Sequence, residues 1–200
     1  MSRGRLEAFS DGVIAVVITI MVLNLDPPEG SSLHDLRPLV PKLLVYLLSF
    51  VFIAIYWNNH HHLMQLVDHV NGATLWANAH LLFWLSLTPA AAAWLGPHLG
   101  DTAPVAVYGV VLLGSGIAYT ILTHTLIAAH EPGSRIARAI GRDAKGYFSL
   151  VAYTIGIALA PIAPWVSTGF YVAVAVAWFI PDRRVERVLN LDPGRTSDSA

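Results

Sequence analysis

Hydrophobic residues occupy this chain in long stretches that contain no aspartate, glutamate, lysine or arginine. Four such stretches run from Leu43 to Val67, from Gly72 to Gly100, from Thr102 to His130 and from Gly146 to Pro181. Each is long enough to cross the hydrocarbon core of a bilayer, which requires about 20 predominantly apolar residues. The pattern therefore predicts an all-α, polytopic membrane protein.

The last stretch, residues 146–181, is too long for a single crossing. As one helix it would extend about 54 Å at 1.5 Å per residue, whereas the core is only about 30 Å thick. Pro161 and Pro164 lie near its middle and mark a turn between two short helices. The sequence therefore predicts six membrane-spanning helices. Their approximate bounds are Leu6–Leu25, Leu39–His61, Ala73–Trp94, Pro104–Ala129, Tyr147–Ala160 and Trp165–Ile180.

The distribution of charge predicts the orientation of these helices. Only 12% of the 200 residues are charged, against roughly 25% in soluble domains. Cytoplasmic segments of membrane proteins are enriched in lysine and arginine. With the N-terminus inside, ten of the twelve basic residues lie in cytoplasmic segments, and only Arg37 and Lys42 lie outside. We therefore expect cytoplasmic N and C termini, a membrane domain over residues 1–181 in the cell membrane, and a partly disordered tail over residues 182–200.

Several function classes are excluded by composition and by missing motifs. The chain has no cysteine, which excludes disulfides, thiolate metal sites and thiol catalysis. Its net charge of -1 argues against a nucleic-acid partner. No nucleophile–base pattern, P-loop or H-E-x-x-H motif occurs, so we predict no enzyme. His60, His61 and His62 do not predict a metal site, because consecutive helical residues point about 100° apart.

The first predicted helix differs from the others because Asp11 interrupts its apolar run. From Gly12 to Leu25, 14 uncharged residues make about 21 Å of helix, which is too short to span the core. Asp11 is therefore expected at membrane depth, where an ionisable side chain needs a partner. Glu7 has the wrong sign and Arg5 lies on a different face, so that partner should come from another helix. The alternative is an interfacial aspartate that caps the helix start, and the residues alone leave both interpretations open.

One face of the same helix carries Gly12, Val16, Thr19 and Leu23 at helical spacing, with Ile20 beside them. Apolar side chains can constrict a pore by dewetting, and oxygen atoms can replace part of an ion's hydration shell. Such a face is suited to line a narrow pore. The same spacing also agrees with ordinary packing in which valine and isoleucine face lipid, and periodicity alone favours that interpretation.

Three short elements resemble those of the transmembrane protein 175 potassium-channel family. Residues 5–11, R-L-E-A-F-S-D, resemble the R-x-x-x-F-S-D signature that opens the family's first helix. Residues 57–60, W-N-N-H, resemble its W-x-x-H element on the second helix. Asn78 and Pro89 resemble positions on its third helix, although Thr88 before Pro89 departs slightly from the family pattern. The resemblance covers the first three helices, while the last three match in length and hydropathy.

The resemblance implies a potassium-permeable channel. Bacterial members form homotetramers of one six-helix unit, and their first helices line a pore without a T-V-G-Y-G filter. Counted from the signature aspartate, the constriction falls on Val16, the hydroxyl position on Thr19 and a further apolar layer on Leu23, with Ile20 contributing. Most members have isoleucine or leucine at the narrowest point, so Val16 is smaller than expected. The implied partners are membrane lipid, monovalent cations and other copies of this chain, with no resident cofactor.

The resemblance also implies a network on the cytoplasmic side that holds the first helix. Its implied members are Arg5, Phe9, Ser10, Asp11, Trp57, His60 and Asn78. A histidine or an amide from a neighbouring helix would satisfy a carboxylate at membrane depth, so the resemblance and the cost of burying charge agree.

A proton-coupled secondary transporter is the alternative function. It would use Asp11 together with His80 and His124, which lie inside apolar helices. Transporters of this size often contain inverted repeats and helices broken at the membrane midplane, and we find no such repeat. The two histidines also agree with hydrogen-bonded packing residues, so their role stays open at this point.

Overall fold

The computed structural model describes residues 2–28, 30–131, 134–140 and 144–179, and these ranges are mainly helical without any strand. The helices are α1 (Arg3–Leu23), α2 (Val40–Gln65), α3 (Gly72–Ser86), α4 (Thr88–Leu95), α5 (Thr102–Ala128), α6 (Arg135–Ile140), α7 (Ala144–Leu159) and α8 (Pro164–Phe179). Short 3-10 turns precede α2 and follow α4, at Leu33–Leu39 and Gly96–His98. The predicted all-α fold class is confirmed.

Four helical stretches are long and apolar enough to cross a bilayer, namely Arg3–Leu23, Leu33–Gln65, Gly72–His98 and Thr102–Ala128. The helices α7 and α8 are shorter, with 16 residues each, which corresponds to about 24 Å. The chain turns between them where predicted, because α7 ends at Leu159 and α8 begins at Pro164. The count of six crossings and the cytoplasmic termini stay predictions. The predicted tail, residues 182–200, and Ile180 lie outside the described residues.

The first helix begins earlier than predicted. It starts at Arg3 instead of Leu6, so that Ser2 occupies the N-cap position. Asp11 consequently lies well inside α1, and the alternative that it caps the helix start is wrong. The physical reason is that no glycine-rich turn or proline separates Arg3 from the apolar run, so the charged segment simply continues the helix.

The predicted third helix, Ala73–Trp94, is interrupted at Leu87, which separates α3 from α4. Pro89 explains the interruption, because proline lacks an N–H group and its ring clashes with the carbonyl four residues earlier. Within the first turn of a helix proline is tolerated, and Pro89 falls in the first turn of α4. The second helix ends later than predicted, because no glycine or proline stops α2 between His61 and Gln65.

Close packing around α5 depends on glycine. Gly114 of α5 lies against the indole of Trp84 on α3, where an added Cβ would overlap the ring. Gly109 of α5 and Gly156 of α7 leave room in the same way for the phenol of Tyr171 on α8. Small residues at such contacts let helix backbones approach each other in membranes. The helix α1 lies outside this cluster, with its extensive contacts to α2, α3 and α4.

Candidate functional site

The two faces of α1 have different surroundings. The face toward α2, α3 and α4 buries Leu6, Ser10, Ile14, Val17 and Met21. The opposite face is left uncovered by the other described residues of the chain. It carries the predicted pore residues Val16, Thr19, Ile20 and Leu23, together with Phe9 and Gly12.

The exposed face of α1 is mainly apolar. Val16, Ile20 and Leu23 expose 56%, 45% and 76% of their surface. A Cβ added to Gly12 would meet no atom within 4 Å, so the face also has a shallow position in the N-terminal half of α1. Phe9 is 59% exposed on the same side and does not join the hydrogen-bonded groups of the predicted network. This face is available to lipid or to further copies of the chain.

Thr19 provides the one hydroxyl on this stripe. Its Oγ1 donates a hydrogen bond to the carbonyl oxygen of Ala15, with a separation of 2.7 Å. A hydroxyl has one hydrogen to donate and two lone pairs to accept with. Because the hydrogen is directed into the helix, the oxygen presents its lone pairs to the exposed side. The position can therefore offer an oxygen ligand to a cation.

A buried chain of hydrogen bonds joins α1 to α3 and α2. The Asn78 Nδ2 group donates to Ser10 Oγ at 2.9 Å, and Ser10 Oγ donates to the Leu6 carbonyl oxygen at 2.9 Å. Because the NH2 group of Asn78 donates to Ser10, its Oδ1 faces His60 Nε2 at 2.8 Å and must accept a hydrogen bond from the Nε2–H group. All three polar side chains are at most 1% exposed. Each group therefore donates to the next, from the imidazole to the amide and from the amide to the hydroxyl.

Two further contacts join α1 to α2 at the surface of the bundle. The indole Nε1 of Trp57 donates to Asp11 Oδ1 at 3.0 Å, so the partner of Asp11 comes from α2. One turn away, His61 Nδ1 lies 3.0 Å from Glu7 Oε1, and Gln65 Nε2 lies 2.9 Å from His61 Nε2. The rings of Trp57 and His61 stack with their centroids 6.1 Å apart. The Trp57–Asp11 and His61–Glu7 contacts thus connect α1 and α2 at two positions one helical turn apart.

The residues predicted for the network are only partly brought together. Ser10, Asn78 and His60 form one hydrogen-bonded group, and Asp11 with Trp57 forms another. Arg5 is exposed and makes no hydrogen bond to either group within the described ranges. Arg3 is the arginine that contacts a neighbouring segment, because its guanidinium donates to the carbonyl oxygen of Val67 at 3.1 Å.

Sequence reasoning missed Glu7 and His61 as contact residues. The signal that would have found them is spacing, since Glu7 precedes Asp11 by four residues and Trp57 precedes His61 by four. Residues four apart lie on one helix face, so the Asp11–Trp57 contact places the other two residues opposite each other. A second missed contact lies at the other end of α1, where Lys42 Nζ is 3.0 Å from Asp26 Oδ2.

In the part of the chain that the structure describes, neither histidine of the transporter alternative forms a hydrogen bond or an ion pair with Asp11. His80 is exposed and accepts a hydrogen bond from the indole Nε1 of Trp84 at 3.0 Å, within α3. His124 is exposed on α5. Among the described residues, no group of three histidine, aspartate or glutamate side chains is arranged to hold a metal ion.

Comparison with known proteins identifies relatives that are named as ion channels. The family model described as "Endosomal/lysosomal potassium channel TMEM175" matches residues 5–89. A Chryseobacterium protein named as a potassium channel is 52% identical over 190 residues, which cover 95% of this chain and 99% of the relative. A human protein named as an endosomal/lysosomal proton channel, TMEM175, is 36% identical over 86 residues, covering 37% of this chain and 16% of that protein.

A solved structure has a similar fold. The crystal structure of a lysosomal potassium-selective channel TMEM175 homolog from Chamaesiphon minutus superposes with a TM-score of 0.77. The two sequences are 29% identical, and the match covers 88% of this chain and 96% of the other. The similarity therefore extends beyond the first three helices to nearly the whole bundle.

Proposed function

Because the chain belongs to the TMEM175 family of potassium channels, we propose that it is a potassium-permeable channel in which α1 lines the pore. Four copies would surround a common axis, each turning the exposed stripe of α1 toward it. The family is one of channels, which is not an enzyme class, and we predict no catalytic activity. The closely similar bacterial relative and the helical bundle support a multi-pass membrane protein.

The uncovered face of α1 is the observation that carries this proposal. The helix buries one side against its own chain and leaves Val16, Thr19 and Leu23 open. A pore helix requires this division, since it must be anchored on one side and reach a shared conduit on the other. A face with one hydroxyl between two apolar positions can constrict the path and still offer an oxygen to a dehydrating cation.

The apolar positions define the proposed constriction. Val16 and Leu23 are seven residues apart, about 10 Å along a helix, and Thr19 lies between them. Around an axis these side chains would form two apolar rings with a ring of hydroxyl oxygens between them. Water leaves narrow apolar rings readily, so each ring opposes ion passage unless the ring is wide enough to stay wet.

The contacts of α1 with its own chain give this face a fixed orientation. The Ser10–Asn78–His60 group is buried, and a buried polar group without a partner is costly, so rotation of α1 would be opposed. The Asp11–Trp57 contact opposes the same rotation at the surface. We propose that both groups position the pore face without contacting the ion.

Electrical recording in planar bilayers tests the proposed function. The purified chain, reconstituted with a potassium gradient and equal pH on both sides, should pass a current that reverses near the potassium equilibrium potential. Reversal at the potassium equilibrium potential excludes obligatory coupling to protons, because a coupled transporter would reverse at a different potential. Reversal that follows an imposed proton gradient would instead support the transporter, and absence of current at all potentials would contradict the channel.

Proton permeation is the second candidate function. It is favoured by the human relative named as a proton channel, which is similar over 86 residues. A pore formed by the same α1 face would serve either ion, so the two candidates share their geometry. Reversal potentials measured while the pH of one chamber is varied, with potassium held constant, distinguish them. A shift with pH indicates protons as the permeant ion, and a fixed value indicates potassium.

A further inference from the structure

The end of α1 farthest from the Ser10 network carries a salt bridge with unequal exposure. Lys42 Nζ contacts Asp26 Oδ2 at 3.0 Å, and the Lys42 side chain is 30% exposed while that of Asp26 is 75% exposed. Asp26 lies three residues beyond Leu23, the last residue of α1 and the most exposed position of the proposed pore stripe. The negative member of the pair is thus the more exposed one.

Two open cavities meet at this pair. One, of about 280 Å³, is lined by Leu23, Asn24, Asp26 and Lys42 among other residues. The other, of about 510 Å³, is lined by Asp26, Asp35 and Lys42 among other residues. Water can therefore reach the pair from both sides, and the first cavity extends to the end of the exposed stripe of α1.

The position of Lys42 is fixed by its own surroundings. Gly96, in the turn after α4, lies against it so closely that an added Cβ would be 3.2 Å from the Lys42 Cα and Cγ atoms. The lysine stem is therefore packed at the start of α2, and only its end reaches Asp26. Asn24 is held nearby through a hydrogen bond to the Pro89 carbonyl oxygen at 3.4 Å.

We propose that Asp26 raises the cation concentration at the outer mouth of the pore and that Lys42 reduces this effect by offsetting its charge. The outer mouth is the end of the bundle where α1 ends and α2 begins. The proposal rests on the proposed function, because it requires α1 to lie beside the conduction path. Four copies would place four such pairs around the opening.

The physical basis is the field of fixed charges at a water-filled entrance. Acidic rings at the entrances of cation channels attract the permeant ion, and low-dielectric walls concentrate the field. The Debye length is about 30 Å at 0.01 M salt and about 3 Å at 1 M. The influence of Asp26 on an ion at the entrance is therefore large in dilute salt and disappears in concentrated salt.

A merely structural role predicts different behaviour. If the salt bridge served only to hold the start of α2 against the end of α1, neutralising either partner would break it equally. Both single variants would then change the current in the same direction at every salt concentration. An electrostatic role predicts opposite directions, because one variant removes the attracting charge and the other removes the charge that offsets it.

Single-channel conductance of Asp26→Asn and Lys42→Gln in planar bilayers tests the proposal. In about 0.02 M potassium chloride we expect Asp26→Asn to lower the conductance, and Lys42→Gln to raise it, by roughly twofold each. In 1 M potassium chloride both should equal the wild type. Asp101→Asn is a matched control, because this exposed aspartate lies at the same end of the bundle and its side chain makes no capping hydrogen bond.

The charge-exchanged variant, with Asp26→Lys and Lys42→Asp together, keeps a salt bridge. It therefore controls for the possibility that the single variants change the current by misfolding. We expect it to conduct less than the wild type in dilute salt, since the exposed charge is then positive. Equal directions for both single variants, recovery in the exchanged variant, or an unchanged salt dependence would overturn the proposal and leave the channel function intact. A wild type that carries no potassium current would overturn both.

Discussion

Replacing Asn78 with leucine tests the hydrogen-bonded chain that holds α1 against α2 and α3. The amide connects Ser10 on α1 with His60 on α2 through bonds of 2.9 and 2.8 Å. Leucine has a similar size and removes both bonds. It leaves the Nε2–H group of His60 without an acceptor in a site that is fully buried.

The expected cost of Asn78→Leu is about 2 kcal/mol. A hydrogen bond contributes about 1 kcal/mol net in proteins, and about 0.6 kcal/mol on average between helices in a membrane. Two lost bonds therefore account for about 1–2 kcal/mol, and the unsatisfied His60 donor adds to this. For a chain of this size about 1 kcal/mol lowers the melting temperature by about 2–4 °C, so we expect a decrease of about 4–8 °C.

Thermal unfolding of the detergent-solubilised protein, followed by size-exclusion chromatography after heating, measures the decrease. Ser115→Ala is the matched control, since Ser115 is also buried but its hydroxyl donates only within α5, to Val111. We expect the control to change the melting temperature by less than about 2 °C. If Asn78→Leu has the melting temperature of the wild type, or if both variants lose equal stability, the buried hydrogen bonds do not anchor α1.

Three further changes test other parts of the structure. Val16→Ala widens the proposed constriction and should lower the potassium-to-sodium permeability ratio, measured from bi-ionic reversal potentials; an unchanged ratio would remove Val16 from the constriction. Gly114→Ala introduces a methyl group against Trp84, and because overpacking costs about 1–3 kcal/mol, we expect a lower melting temperature. Melting at the wild-type temperature would refute close α3–α5 packing. Trp57→Phe keeps an aromatic ring but leaves Asp11 without its hydrogen bond, which should reduce the current per protein in flux assays. Wild-type flux would show that this bond is dispensable.

The fold class was predictable because it depends on local properties of the sequence. Long uncharged stretches specify helices at membrane depth, since every backbone group must be satisfied within the helix. The turn between α7 and α8 was visible from Pro161 and Pro164 for the same local reason. The interruption at Leu87 does not follow from hydropathy, because it depends on the backbone hydrogen bond that Pro89 removes within an otherwise apolar run.

The contacts of the candidate site were less accessible from sequence. The cost of a carboxylate at membrane depth predicts that Asp11 needs a partner, and the structure supplies Trp57. Which residue supplies the partner depends on the rotation of α2 about its axis, and that rotation is set by packing along the whole helix. The Asp26–Lys42 contact depends on the path of the segment between α1 and α2, which has no periodic pattern.

The orientation of the α1 stripe illustrates a limit of periodicity. A set of apolar residues at helical spacing describes a buried face and a lipid-facing one equally well. Among the residues that the structure describes, none buries this stripe, because Val16, Ile20 and Leu23 are exposed. Whether the stripe meets lipid or a shared axis depends on other copies of the chain, so it is a property of the assembly.

Cysteine modification tests most directly whether α1 lines a conduction path. The chain has no cysteine, so a single Val16→Cys variant carries one reactive thiol, and Val151→Cys on α7 is a matched control with similar exposure, 58% against 56%. A charged, membrane-impermeant methanethiosulfonate reagent should irreversibly reduce the potassium current of Val16→Cys and leave that of Val151→Cys unchanged. An unaffected Val16→Cys current, with the thiol shown by mass spectrometry to be unmodified, would place this face in lipid and contradict the pore.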